Sequence, residues 1–336
     1  MVMKILVTGA NGFIGSNLVK KLIEAGHQVD AMVLKGTNEE FIKDLNCKIV
    51  YGDVTQKETL EGLFHDIEVV YHLAAVPSSE WSNRIVNINF EGTKNVVEEC
   101  IKQGVRRLVF MSSLVVHGFK DFEGADESTP LIKAKWYKRP YIKSKILCEN
   151  YLRGKHDEME IVIIRPGFTI FGPHDILTSK ELIGRLDSGK NVPNINGGGA
   201  KMCYIYVENL ADILVLAGSR PEAAGKTYLA ADNSPPYITM KRFNKAICEE
   251  LGRKPSKGSI PYLLAAPFVT LLDLIYRLFL RKKLPLISMY TLKVAKFNLF
   301  FQSNKVEQEL GYTSKISFKE AVKRTVEWYK NYFSED

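Results

Sequence analysis

Short runs rich in Val, Ile and Leu punctuate the first half of the chain, at 3–8, 28–34, 47–51, 68–73, 106–112 and 160–165. Their apolar residues are consecutive rather than alternating, which predicts strands buried on both faces. The segments between them, among them 16–25, 89–102 and 141–152, show helical periodicity. Strand alternating with helix predicts an α/β fold, a doubly wound parallel sheet with right-handed crossovers. After Arg165-Pro166-Gly167 the pattern changes. Loops carry Gly and Pro, as in Phe171-Gly172-Pro173 and Gly197-Gly198-Gly199, and helices dominate the end. The chain therefore divides into a sheet domain over 1–166 and a smaller, mostly helical C-terminal substrate part over 167–336. Their boundary is interleaved, with some segments returning to the first domain.

Composition narrows this picture. A chain of 336 residues, 46% hydrophobic and 25% charged, is globular and suits one large domain with an appendage. Cys47, Cys100, Cys148, Cys203 and Cys248 are scattered and odd in number, which suits free thiols in a reducing compartment. No His or Cys pair has ligand spacing, so no metal site is expected. The N-terminus runs straight into Met3-Lys4-Ile5-Leu6-Val7, a strand rather than a secretion signal, and the expected address is the cytoplasm. Residues 1–252 hold 31 Lys/Arg against 31 Asp/Glu, whereas 253–336 hold 15 against 7. The net charge of +8 thus lies at one end, which argues against nucleic acid and for an anionic membrane surface.

Thr8-Gly9-Ala10-Asn11-Gly12-Phe13-Ile14-Gly15 follows the first strand and opens a helix. Glycines at 9, 12 and 15 permit a tight turn and close approach of the backbone to a pyrophosphate, which the helix N-terminus attracts. The plainer reading is an ordinary strand–helix turn; the position directly after an N-terminal strand favours the dinucleotide. No carboxylate ends the second strand, since Asp30 lies too early. Lys35 is either a cation for a ribose 2′-phosphate or a solvated loop lysine. The expected cofactor is NAD or NADP, with a lean to NADP.

Tyr141 and Lys145 lie one helical turn apart in Tyr141-Ile142-Lys143-Ser144-Lys145. Carbonyl reduction needs a proton donor, and a nearby ammonium is expected to lower the tyrosine's usual pKa of about 10. Ser112-Ser113 end the fifth strand, at the edge where such sheets bind ligands, and a hydroxyl there can polarise a carbonyl. Tyr-x-x-x-Lys alone is a common surface pair; here its context makes it catalytic.

With these motifs in place the chain resembles the extended short-chain dehydrogenase/reductases over nearly its whole length. The resemblance is carried by the glycine turn, Gly52-Asp53-Val54, His72-Leu73-Ala74-Ala75, Asn89-Phe90-Glu91-Gly92-Thr93, Ser112-Ser113, Tyr141-Ile142-Lys143-Ser144-Lys145 and Arg165-Pro166-Gly167. It implies a Rossmann-type fold with Tyr141 as acid/base, Lys145 as its partner and Ser113 as catalytic serine. It implies cofactor contacts from Gly9, Asn11, Gly12, Phe13, Ile14, Gly15, Lys35, Asp53, Val54, Leu73, Ala74, Ala75, Asn89, Ser112, Tyr141, Lys145 and Pro166. Asp53 and Val54 would meet the adenine, Ala74 and Ala75 would line the channel, and Asn89 would support the active-site backbone. Without the resemblance, Asp53 reads as a turn residue and Asn89 as a helix cap.

Two branches compete. Nucleotide-sugar epimerases usually carry an Arg where this chain has Met202, and an Asn after the sixth strand, where it has Pro166-Gly167-Phe168. The C-terminal part is more similar to the 3β-hydroxysteroid and sterol-4-carboxylate dehydrogenases, through Ile260-Pro261, Leu284-Pro285-Leu286, Leu310-Gly311-Tyr312 and Ser317-Phe318-Lys319-Glu320.

Residues 261–280 form a long apolar helix with Thr270, Asp273, Arg277 and then Arg281 on one narrow stripe. Asp273 and Arg277 can pair along it, and a membrane span rarely carries both. An amphipathic helix on a membrane or over a greasy pocket fits better, the alternative being a packing helix or dimer contact. Arg281-Lys282-Lys283 beside it favours anionic lipid. The expected protein is an oxidoreductase interconverting a secondary alcohol and a ketone on a hydrophobic, sterol-like or long-chain 3-hydroxy/3-keto substrate, and a homodimer. The alternatives are a nucleotide-sugar epimerase or dehydratase, and a non-enzymatic scaffold or sensor on the same fold.

Overall fold

The computed structural model describes residues 2–77, 80–136, 139–232, 235–280 and 288–333. Its centre is a parallel sheet of seven strands: β1 (Lys4–Thr8), β2 (Gln28–Val33), β3 (Lys48–Tyr51), β4 (Val69–His72), β5 (Arg107–Met111), β6 (Glu160–Pro166) and β7 (Thr227–Ala230). The strands lie in the order β7-β6-β5-β4-β1-β2-β3. Six of them coincide with the apolar runs, and β4 and β5 are buried at every position, as strands covered on both faces must be. β7 comes from beyond residue 166 and pairs with β6, from Thr227 against Ile163 to Ala230 against Pro166.

Four helices cover the sheet: α1 (Phe13–Glu24), α2 (Gly92–Gln103), α3 (Pro140–Arg153) and α4 (Val207–Ser219). Leu18, Val19 and Leu22 of α1 join Leu210, Ile213 and Leu214 of α4 in one apolar layer. Val96, Val97 and Cys100 of α2 join Cys148 and Leu152 of α3 in the other. The fold is thus Rossmann-type. Strand order reverses between β1 and β4, so the ligand-binding crevice of such a sheet opens at their carboxyl ends.

The remaining elements form a cap beside that edge. Helices Thr178–Asp187, Met240–Leu251 and Phe318–Phe333 share a third apolar cluster with Phe171, Tyr204 and Tyr206. A fourth cluster, which includes Phe122, Phe168, Leu299 and Phe301, takes in Tyr141, Phe119 and Tyr290. Over it lies the 18-residue cap helix, Tyr262–Phe279. Arg281-Lys282-Lys283 and Leu284-Pro285-Leu286 fall outside the described residues.

Candidate active site

The glycine turn closes on itself through the Gly12 amide, which donates to the Gly9 carbonyl at 3.1 Å. Gly9 has φ +68°, and a side chain there would come within 2.9 Å of the Ala74 backbone. A Cβ on Gly15 would lie 2.1 Å from the Gly9 oxygen, so α1 can only pack this tightly without one. Gly12 caps α1 with no side-chain hydrogen bond, and no acidic residue sits in the first turn. The first amides of a helix have no intrahelical acceptor. Here no side chain competes for them, and the cradle fits a diphosphate.

Around this turn the candidate residues take different parts. The Asn11 amide donates to the Thr37 hydroxyl and the Asn38 carbonyl, tying the turn to the loop after β2. Lys35 is exposed on that loop, while Asp30 lies mid-strand, 3.8 Å from the Lys48 ammonium. Phe13 and Ile14 are half-buried against the cap's apolar cluster. Asp53 does behave as a turn residue: it accepts from the Thr55 amide and hydroxyl and from Gln56. Val54 is buried, Leu73, Ala74 and Ala75 are half-buried beyond β4, and Pro166 is buried at the end of β6.

At the crevice itself β1 and β4 are pinned together. The Thr8 hydroxyl and His72 Nδ1 lie 2.8 Å apart, and His72 Nε2 is 3.1 Å from the Thr93 hydroxyl. Thr93 donates its proton to the Asn89 carbonyl and so accepts from Nε2–H; Nδ1 then accepts from Thr8. Burial holds His72 neutral, with its pKa pushed down to about 3. The sequence motif containing His72 was recognised, but this tautomer-specific pin was not.

Asn89 is not a helix cap, as the residues alone suggested. It sits in a single π-helical turn, Asn87–Glu91. Its side chain accepts from the Val76 amide at 2.8 Å and donates to the Ser144 hydroxyl at 3.0 Å, and Ser144 donates to the Tyr141 carbonyl. The loop beyond β4 is thereby fixed to the first turn of α3. Pro140 occupies the first helical position, where its missing N–H costs nothing and its ring forces Arg139 into extended backbone. That start aims Tyr141 at the end of β5.

Ser113 follows β5, buried, and its hydroxyl lies near enough to the Tyr141 phenol to favour the phenolate. The Lys145 ammonium donates to the Met111 carbonyl at 2.6 Å and lies 6.0 Å from the Tyr141 ring centre. The structure thus brings Ser113, Tyr141 and Lys145 together at the carboxyl edge of the sheet. One expectation fails: the Tyr141 pKa is not lowered. Burial pushes it up to about 12 against the opposing effect of Ser113, and the Lys145 ammonium is spent on the Met111 carbonyl. Burial also pushes Lys145 down, to about 8.

Ser112 faces away from this trio. Its hydroxyl donates to Glu149 Oε1 at 2.5 Å, so it is not offered to a ligand. Glu149 is paired with Arg165 through two bonds, Nε to Oε1 at 2.9 Å and Nη2 to Oε2 at 2.6 Å. Arg165 Nη1 donates to His117 Nε2, and His117 Nδ1–H donates to the Pro130 carbonyl. In the sequence Arg165 stands out only as part of Arg165-Pro166-Gly167, whereas Glu149 has a signal of its own: it lies one turn beyond Lys145 on the same face as Tyr141.

The cap helix roofs a cavity of about 360 Å³, lined by Arg139 and Ile142 from the start of α3 and by Trp81, Asp273, Lys293 and Tyr290 among others. Asp273 pairs across with Arg139 rather than along its own helix, and its Oδ2 also accepts from the Met289 amide at 3.0 Å. Thr270, Asp273, Leu274 and Arg277 thus face the cavity, and the helix turns its apolar side outward. Among the described residues no group of His, Cys, Asp or Glu is placed to hold a metal ion.

Comparison with known proteins settles the lineage. The model of the 3-beta hydroxysteroid dehydrogenase/isomerase family matches residues 6–262. The chain belongs to that family. It is 28% identical to the 3beta-hydroxysteroid-dehydrogenase/decarboxylase isoform 1 of Arabidopsis thaliana, over 97% of this chain and 79% of the relative. It is 26% identical to the 2-alkyl-3-oxoalkanoate reductase of Shewanella oneidensis, over 95% and 84%. The UDP-glucose 4-epimerase of Thermotoga maritima shares the fold, with TM-score 0.78 at 23% identity over 98% of this chain and 99% of that one. The chain is thus an NAD(P)-dependent enzyme of the extended short-chain dehydrogenase/reductase type.

Proposed function

We propose that this family member interconverts a secondary alcohol and a ketone on a hydrophobic, sterol-like or long-chain 3-hydroxy/3-keto substrate, with NAD or NADP as cofactor. The observation that carries the reading is the meeting of Ser113, Tyr141 and Lys145 at the sheet edge beside a cavity. The glycine cradle and α1 would hold the diphosphate, and Lys145 the ribose next to the nicotinamide. When bound, the nicotinamide ring gives or takes the hydride. Ser113 hydrogen-bonds the substrate oxygen, and Tyr141 moves the proton at that oxygen. Lys145, freed from Met111, supplies the positive charge that a phenolate requires. For a substrate with a carboxyl beta to the new ketone, loss of CO2 follows with the ketone as electron sink. The name of the Arabidopsis relative agrees with that sequel.

A sugar nucleotide fits less well. Met202, where an epimerase places its phosphate-binding Arg, is buried in the cap's apolar cluster. Any side chain on Gly167 would meet the Cys203 backbone at 2.9 Å, which bars the Asn expected after the sixth strand. Tyr141→Phe is expected to lower turnover by about 10²–10⁴-fold with folding and cofactor binding retained. Full turnover in that variant removes the role assigned to Tyr141. Turnover without net consumption of added NAD(P)H returns the epimerase reading.

The cap helix supports a second element of the proposal, peripheral contact with an anionic membrane. It is long and apolar enough to cross a bilayer, but Asp273 and Arg277 on its inner side argue that it lies flat. Leu263, Phe268 and Phe279 are 81%, 66% and 78% exposed, and the basic excess of 253–336 is in the same stretch of chain. Co-sedimentation with phosphatidylserine-containing vesicles, released by high salt and lost in Leu264→Ser/Phe268→Ser, is the expected outcome. Equal binding to pure phosphatidylcholine vesicles removes the electrostatic part, and no sedimentation removes the whole.

A further inference from the structure

In a sheet of this kind the residues just past the second strand meet the adenosine ribose of a dinucleotide. Here they form an irregular loop over 34–42, exposed from Leu34 to Asn38. A loop that has to be ordered on binding costs affinity. What stiffens this one comes largely from outside the sheet domain. Phe41 lies flat on the His174 imidazole, with ring centres 4.1 Å apart and planes within 1°. Trp328 meets both rings edge-on, at 6.4 Å and 6.2 Å. From the same C-terminal helix the Tyr332 hydroxyl donates to the Glu40 carboxylate at 2.8 Å. His174 is in turn tied to the diphosphate cradle. Its Nδ1 lies 2.8 Å from the Ser16 hydroxyl on α1. Ser16 gives its own proton to the Phe13 carbonyl at 3.2 Å, so Nδ1–H donates to Ser16. Beside it, the Asn17 amide donates to the Pro173 carbonyl at 3.0 Å. His174 reaches this place with φ +74°, a left-handed conformation that histidine adopts more readily than most residues. Burial, then the Lys20 charge, push its pKa down to about 4, so near neutral pH the ring stacks as an uncharged aromatic.

We propose that His174 is a positioning residue for the adenosine half of the cofactor: its ring pins Phe41, and with it the loop after β2, to the turn of α1 that would carry the diphosphate. The inference rests on the dinucleotide reading above and adds to it a residue 158 positions along the chain from Ser16. The imidazole acts as a spacer of fixed thickness. One edge is anchored on α1 through Nδ1–H, and one face carries Phe41. Both contacts exist without a cofactor, so the loop and the cradle are set at one distance beforehand, and binding does not have to order them. Packing alone would be served by any apolar side chain. A ring held at positive φ with its N–H on a hydroxyl of α1 fixes a direction as well.

Binding of the two halves of the cofactor, not turnover, tests it. The full-length protein is titrated with ADP-ribose by calorimetry and with reduced nicotinamide mononucleotide by fluorescence. His174→Asn keeps a side chain that tolerates positive φ and can donate to Ser16, but it lacks the ring. It is expected to weaken ADP-ribose by about three- to tenfold and to leave the mononucleotide within about twofold. Phe41→Leu, on the other side of the stack, is expected to weaken ADP-ribose equally. The double variant is expected to be no worse than either single one, because both changes break one contact. Hydrogen exchange of the cofactor-free His174→Asn protein is expected to speed up over 35–41 and to stay unchanged over α1. Thermal unfolding checks that each variant is folded, and Phe41→Leu carries the test by itself if His174→Asn is not. A wild type that binds neither probe removes the dinucleotide reading and this one with it. A wild type that binds both, with ADP-ribose unaffected by either substitution, overturns the positioning role alone. So do equal losses for both probes, which mean a disturbed cradle, and additive losses in the double variant, which mean two independent packing contacts.

Discussion

Two buried charge centres hold opposite ends of α3, one at Arg139 and one at Glu149, and they are finished differently. At one end, Glu149 is bonded by Ser112 and twice by Arg165, and Arg165 continues to His117 and the Pro130 carbonyl. At the other, Asp273 holds Arg139 but keeps one oxygen unpartnered, and Arg277 and Lys293 share the same cavity. The first centre locks the end of β5 to α3 and β6 and leaves no room for a ligand. The second lies in a cavity that can admit one. The contrast teaches that burial of charge does not by itself mark a site: the completeness of its hydrogen bonding separates scaffold from receptor.

Removing one partner from each centre is the most severe test of that contrast. Glu149→Ala leaves the Arg165 guanidinium buried without its carboxylate, and a loss of about 3–5 kcal/mol in unfolding free energy is expected. Asp273→Asn leaves Arg139 stacked on Trp81 beside a cavity, so a loss of about 1–2 kcal/mol is expected. Denaturant unfolding of both variants reads the difference. Equal losses would show that the Asp273 centre is as structural as the Glu149 one.

Much of this architecture was legible in the chain, for identifiable reasons. Strands β1, β4, β5 and β6 are apolar runs because both their faces are covered, and such runs stand out from their neighbours. β7 did not: Thr227–Ala230 is four residues long and is recruited by β6 across a long sequence separation. Tyr141 and Lys145 were visible because helical spacing places them together, whereas Arg165 meets Glu149 only through the register of β6 beside β5. The polar stripe of the cap helix was visible too. Its direction was not, since periodicity shows that a helix has two faces but not which one turns inward. The acidity of Tyr141 is not legible from spacing, because spacing shows a nearby charge but not desolvation, which here is the larger effect.

A smaller effect comes from the buried histidines and is read by pH. His117 is held at about 4 by burial and by the Arg165 charge, and His72 at about 3 by burial. Both native values lie below the unfolded value of about 6.5. As pH falls from about 6.5 toward 4, the unfolded chain takes up protons that the native one refuses, so stability falls, by up to about 1.4 kcal/mol per pH unit for each histidine. His117→Gln, which can still donate to Pro130 and accept from Arg165, is expected to keep the fold and make the slope of Tm against pH shallower.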